Sequence, residues 1–156
     1  MIFVRDKSCC FSGNREIAGD PDELFESVRE KVEALIEKGY TDFYAGGAVG
    51  FDTLCERCVL ALKNKYPHIR LILAVPFEGQ ERHWSISAQK AYSEVLKSAD
   101  EVVILCKAPS KSAFFVRNRY MVDRSNTIIY YQRKSGGGTE ATVEYAKKQG
   151  LELIPC

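Results

Sequence analysis

Two glycine-rich runs, Ala45-Gly46-Gly47-Ala48-Val49-Gly50-Phe51-Asp52 and Gly136-Gly137-Gly138-Thr139, each stand between a short apolar segment and a helical pattern. Glycine has no Cβ, so the main chain can reach φ > 0 and a ligand oxygen can rest against its N–H groups, with the positive end of the following helix behind it. Strand-to-helix turns of this kind hold phosphates in α/β proteins. Gly46, Gly47, Gly50, Gly137, Gly138 and Thr139 are therefore read as contacts for a nucleotide-like ligand; a pair of merely tight turns is the plainer alternative. A third turn, Phe11-Ser12-Gly13-Asn14-Arg15, adds Gly13 and an arginine whose planar fork of donors suits phosphate, or which could instead pair with Asp20.

Asp52 falls two residues past Gly50, where its carboxylate could receive ribose hydroxyls or cap the helix by accepting the N–H of Leu54 or Cys55. Three arginines crowd the segment from Phe115 to Ser125. Arg119 and Asp123 are spaced to pair, and Met121 and Val122 are expected to point inward, which leaves Arg117 and Asn118 for the ligand. Glu78, Glu81, His83 and Trp84 could stack and hydrogen-bond a base, or form a lid that packs Trp84 on the sheet end. Cys55 and Cys58 have a metal or redox spacing, but no second such pair exists and they share a helix face with Leu54, Val59 and Leu62, so they are read as core. No residue is assigned to catalysis or to a metal, and no cofactor is expected.

The elements that position these residues follow from periodicity. Apolar runs at 8–12, 42–45, 70–75, 101–106, 127–132 and 152–155 alternate with helical patterns at 21–38, 51–65, 85–98, 114–124 and 139–149. That alternation predicts a three-layer α/β, Rossmann-like fold: a parallel six-stranded sheet with helices on both faces, in a single domain over 1–156. Right-handed crossovers bring the loops after the strands to one rim, where open α/β sheets bind ligands. The expected strand order is third, second, first, fourth, fifth, sixth. The stretches 107–112 and 132–136 are the clearest loops on that rim.

Bulk properties narrow the function classes. Twenty-two Lys and Arg stand against 21 Asp and Glu, a net charge of +1, so no overall field drives the chain onto nucleic acid or lipid. Met1, Ile2, Phe3 and Val4 meet Arg5 too soon for a secretory signal, and no apolar run approaches the ~20 residues that span a bilayer. A cytoplasmic protein with reduced cysteines and no membrane contact is expected.

The set Phe11–Arg15, Gly46–Asp52, Arg117-Asn118-Arg119-Tyr120-Met121 and Gly137–Thr139 resembles the SLOG superfamily. This Rossmann-like group unites the DNA-processing protein DprA, the Lonely Guy cytokinin-activating enzymes and the YpsA/YoqJ-like proteins of bacteria and phages. The likeness spans nearly the whole chain and is greatest to the YpsA/YoqJ-like branch, through Pro76-Phe77-Glu78-Gly79-Gln80-Glu81, Trp84 and the arginine helix. It implies a nucleotide or nucleotide-derived ligand over the glycine loops. Lonely Guy enzymes hydrolyse nucleoside monophosphates with an Arg-Lys-x-x-Met segment and a glycine loop followed by glutamate. Arg117 and Met121 match, but Asn118 replaces the lysine and Thr142 the glutamate, with Glu140 and Glu144 two residues to either side. DprA-type proteins bind single-stranded DNA, for which Lys107, Lys111, Arg117, Arg133 and Lys134 could supply a rim patch; this ranks behind the small ligand. Relatives of the fold often dimerise through helix faces, so a homodimer stays open.

Overall fold

The computed structural model describes residues 7–156; residues 1–6, with the apolar run 1–4, lie outside the described residues. Local signals fix most element ends. Asp20 caps the first helix, its carboxylate accepting the Asp22 N–H at 2.9 Å, and Pro21 occupies the first turn, where its missing N–H costs nothing. That helix, α1 (Pro21–Glu37), stops before Gly39, whose φ of +98° reverses the chain. It links β1 (Ser8–Gly13) to β2 (Asp42–Ala45). There follow α2 (Phe51–Leu62), β3 (Arg70–Phe77), α3 (Ile86–Ser98), β4 (Glu101–Cys106), α4 (Lys111–Asp123), β5 (Thr127–Tyr131), α5 (Gly138–Lys148) and β6 (Glu152–Pro155). The fourth helix starts at Lys111, inside the expected 107–112 loop, because Ser110 caps it by accepting the Ala113 N–H.

All strand pairs are parallel and form one six-stranded sheet between two helical layers. Central strands are buried on both faces, so β1 reads as a continuous apolar run whose alternate residues serve different cores. Cys9 and Phe11 face Phe43, Leu71 and the inner sides of α1 and α2, with Val95 of α3; Cys10 faces Ala74, Ile128, Met121, Val122, Val143 and Ala146 under α4 and α5. Cys55 and Cys58 are buried in the first core, and burial pushes their thiols up, Cys58 to about 12, which makes them packing groups rather than nucleophiles. No described helix is long and apolar enough to cross a membrane.

The strand order is β4-β3-β2-β1-β5-β6, not the expected one. The fourth strand extends the sheet beyond β3 instead of joining β1. Its exposure agrees with an edge: Val102 and Ile104 are 39% and 52% exposed, whereas the strands flanked on both sides bury most of their side chains. The chain therefore winds outward from β1 to β4 in one direction and returns through α4 to β5 on the other side of β1. The reversal, and the crevice it opens, lies between β1 and β5.

Candidate functional site

At the carboxyl ends of β1 and β5 there is a cleft of about 340 Å³, within the range of small-ligand sites. Of the residues singled out from sequence, Gly13, Arg15, Asp52, Arg117, Asn118, Gly137, Gly138 and Thr139 line it, joined by Phe11, Ser12, Asn14, Ala48, Phe114, Met121, Lys134 and Gly136. Asp20 is taken up capping α1, and Arg15 stands exposed on the cleft.

Asn14 organises the lining. Its N–H donates to the Tyr131 carbonyl at 3.1 Å, and its carbonyl accepts the Phe51 N–H at 3.2 Å. Its side-chain oxygen accepts the Arg133 N–H at 2.7 Å while Nδ2 donates to Thr139 Oγ1 at 3.4 Å. One residue thus ties the first turn to α2, β5 and α5. Its place between Gly13 and Arg15 was the only sequence signal for this.

The two glycine runs are not equivalent. Gly46, Gly47 and Gly50 do not line the cleft. Gly46 makes room for Arg117, whose Nη1 would lie 2.2 Å from a Cβ there; Gly47 abuts Gln80 and Tyr92; and Gly50 passes the Arg15 carbonyl oxygen, 2.1 Å from where its own Cβ would be. Two of the loop's N–H groups are also occupied, Gly47 donating to Glu56 Oε2 at 2.9 Å and Ala48 to Asp52 Oδ2 at 3.2 Å. The second run is more open, although its Gly136 N–H is taken by the Glu140 carboxylate. A Cβ on Gly137 or Gly138 would meet nothing within 4 Å, and no side chain caps α5. The first-turn N–H groups of α5 and the positive end of its dipole thus face the cleft.

Beneath the first run sits a buried charge cluster. Asp52 does not cap α2, because Gly50 occupies that position; its carboxylate turns back to Ala48 instead. Arg117 is 6% exposed, donates from Nη1 to the Gly46 carbonyl at 2.6 Å, and is braced by Asn118 Oδ1 at 2.7 Å from Nε. Glu56 is 1% exposed and escaped the sequence reading, although it lies one helical turn from Asp52 on the same face. Burial raises the pKa of both carboxyls; the Arg117 charge pulls each back without reversing it, and the Asp52 charge raises Glu56 further.

A pH dependence follows. A carboxyl whose folded pKa is raised adds stability below its unfolded value and loses it as pH rises through the folded one. Stability should therefore fall as pH rises above the ordinary carboxylate range. Glu56→Gln keeps an acceptor for the Gly47 N–H and removes the charge, so thermal melts should show a flatter profile and equal or greater stability at the alkaline end. A variant with the parent's slope refutes this. Glu33, lowered by its hydrogen bonds from Lys65 and Tyr66, acts with the opposite sign and only at more acid pH.

Other expected residues lie elsewhere. Trp84 packs edge-on against Tyr92, with ring centroids 5.3 Å apart, and Gln80 donates to the Tyr92 hydroxyl at 3.1 Å, so this segment supports the first glycine run from outside the cleft. Arg119 lies over the Tyr145 ring, 4.7 Å from its centroid, and Asp123 accepts from the Tyr145 hydroxyl; the ring stands between the two charges expected to pair.

Sheet order, crossover and cleft define a Rossmann-like α/β protein with a ligand-sized crevice at its topological switch point. Within that class the chain belongs to the YspA SLOG family, whose model YpsA matches residues 22–152. It is 34% identical to the uncharacterized SPbeta prophage-derived protein YoqJ of Bacillus subtilis (strain 168), over 80% of this chain and 82% of that one. It is 31% identical to a UPF0398 protein of Halalkalibacterium halodurans, over 80% of this chain and 67% of the relative. Among solved structures, DNA processing protein A (DprA) from Streptococcus pneumoniae superposes with a TM-score of 0.69 at 20% identity, covering 95% of this chain and 49% of its own. DNA processing protein A from Helicobacter pylori, described for its single-stranded DNA binding mode, gives 0.66 at 18% identity, covering 95% and 64%. The chain thus spans half to two thirds of those neighbours, and at such identity the likeness is one of fold.

Proposed function

We propose that the cleft binds a nucleotide or nucleotide-derived ligand, its phosphate seated on the N-terminus of α5. The observation that carries this reading is the uncapped first turn at Gly137, Gly138 and Thr139, opening on a cleft that Arg15 and Lys134 flank. Phe11, Phe114 and Met121 supply apolar lining for a base, and the Asp52 oxygen not bound to Ala48 is an acceptor for a ribose hydroxyl. Glycosidic hydrolysis is not part of the proposal. Thr142 Oγ1 donates to the Gly138 carbonyl at 2.7 Å, Glu140 folds back onto the Gly136 N–H, and Glu144 is exposed, so α5 brings no free carboxylate to the cleft.

ADP-ribose, NAD or a nucleoside monophosphate should raise the melting temperature, by about 2.7 kcal/mol of stabilisation at a hundredfold excess over Kd. AMP should bind without release of free adenine. A panel silent at millimolar concentration, in both thermal shift and calorimetry, overturns the reading.

Single-stranded DNA is the second reading, favoured by the exposed Arg15, Arg133 and Lys134 around the cleft and by the Helicobacter neighbour's binding mode. It ranks behind the first because Arg117 is buried and the net charge is only +1. DNA binding would weaken with salt at roughly −0.7 in log–log slope per phosphate neutralised. Tight oligonucleotide binding with that slope, and none of mononucleotides, would reverse the order.

A further inference from the structure

The two edges of the sheet differ in character. At one end β6 is four residues long and carries Glu152 and Pro155, features that keep an edge strand from pairing. At the other, β4 is six residues long, Glu101-Val102-Val103-Ile104-Leu105-Cys106, with a single charge and no proline. Val102 and Ile104 are exposed despite standing in register with the buried Leu73 and Val75 of β3. An apolar, unshielded edge of this kind is a template for another strand.

We propose that β4 pairs antiparallel with β4 of a second copy of this chain, with Ile104 on the two-fold axis, so that two sheets become one. Two conditions set the register. An axis normal to the sheet leaves each face on its own side, so even-numbered positions must oppose even and odd oppose odd. Charge then chooses among the centres parity allows. Centring on Ile104 places Glu101 opposite Lys107 of the partner subunit, once at each end of the seam. Centring on Val103 or Leu105 would set Glu101, which already accepts from Arg70 of its own chain at 3.1 Å, against Leu105 or Pro109 of the partner subunit, so that no cation would be added across the seam and Lys107 would gain no partner there.

With Ile104 on the axis, the exposed side chains close over one another. Ile104 meets its symmetry mate and Val102 meets Cys106 of the partner subunit on the face shared with α3, while Val103 meets Leu105 of the partner subunit on the face shared with α4. The interface is isologous and closes on itself, which stops the edge from templating longer assemblies. It uses a strand edge rather than the helix faces through which relatives of the fold often pair.

Sedimentation of the full chain at tens of micromolar should give a dimer. Ile104→Lys sets two like charges against each other on the axis and should give a folded monomer, since the side chain is half exposed, melting somewhat below the parent because the stabilisation from association is lost. Opposed residues in an antiparallel pair have Cα atoms about 4.5–5.5 Å apart, within disulfide range. Ile104→Cys should therefore cross-link into a covalent dimer under mild oxidation, whereas the parent, whose Cys106 faces Val102 of the partner subunit, should not. A monomeric parent, a dimeric Ile104→Lys variant, or no cross-link in Ile104→Cys would each overturn the proposal.

Discussion

Arg117→Met is expected to lower the melting temperature and, by loosening the Asp52 wall of the cleft rather than by removing a bond to the ligand, to weaken nucleotide binding as well. The side chain is buried, its Nη1 holds the Gly46 carbonyl at 2.6 Å, and its charge is the counterweight to Asp52 and Glu56. Breaking a buried charge cluster costs about 3–5 kcal/mol, or roughly 6–20 °C for a chain of this length. The loss should shrink at acid pH, where both carboxyls take up protons and need the cation less. Arg117→Lys, which keeps the charge without the planar fork, should fall between the two. Melts and titrations at two pH values check this, and an Arg117→Met curve superimposable on the parent's refutes it.

Gly50→Ala should be as damaging through geometry alone. Gly50 has φ +85°, and an added Cβ would stand 2.1 Å from the Arg15 carbonyl oxygen, a main-chain atom that cannot rotate away. The clash costs about 1–3 kcal/mol and the left-handed conformation about 1–2 more. Relief would require α2 to part from the first turn, stretching the Phe51 N–H to Asn14 carbonyl bond and opening the cleft wall. Gly138→Ala is the counterpart: its Cβ meets nothing within 4 Å, so it should leave stability intact while crowding the anion seat. Equal stability of the Gly50→Ala variant and the parent in a denaturant titration would show that the first run is slack rather than close-packed.

Element positions were legible because each has a local cause. Asp20, Pro21 and Gly39 frame α1, and the apolar runs at 42–45, 101–106 and 152–155 became strands with those bounds. Strand order was not legible, since Val102 through Leu105 read the same whether a strand is central or at an edge. The difference lies in what covers them. The cleft was visible as three turns sharing a rim, but which glycines open onto it was not. Gly46 and Gly137 look alike as residues; one lies under Arg117 and the other faces open space. Glu56 was hidden between Cys55 and Arg57, where a buried carboxylate has no signature apart from its spacing to Asp52.

The bonds of Asn14 bear on how such a cleft can change over evolutionary time. Its side chain grips the arch between β5 and α5 at both feet, at the Arg133 N–H and at Thr139 Oγ1. Residues between those feet can be added or removed while sheet and helix stay where they are, since doubling the length of a flexible loop costs only about 0.6 kcal/mol. Lys134, Gly136 and Gly137, the arch's contribution to the lining, therefore form an exchangeable part mounted on a fixed frame. Lengthening or shortening that loop should therefore reshape the cleft while the fold stays intact, provided the asparagine that holds its ends is kept.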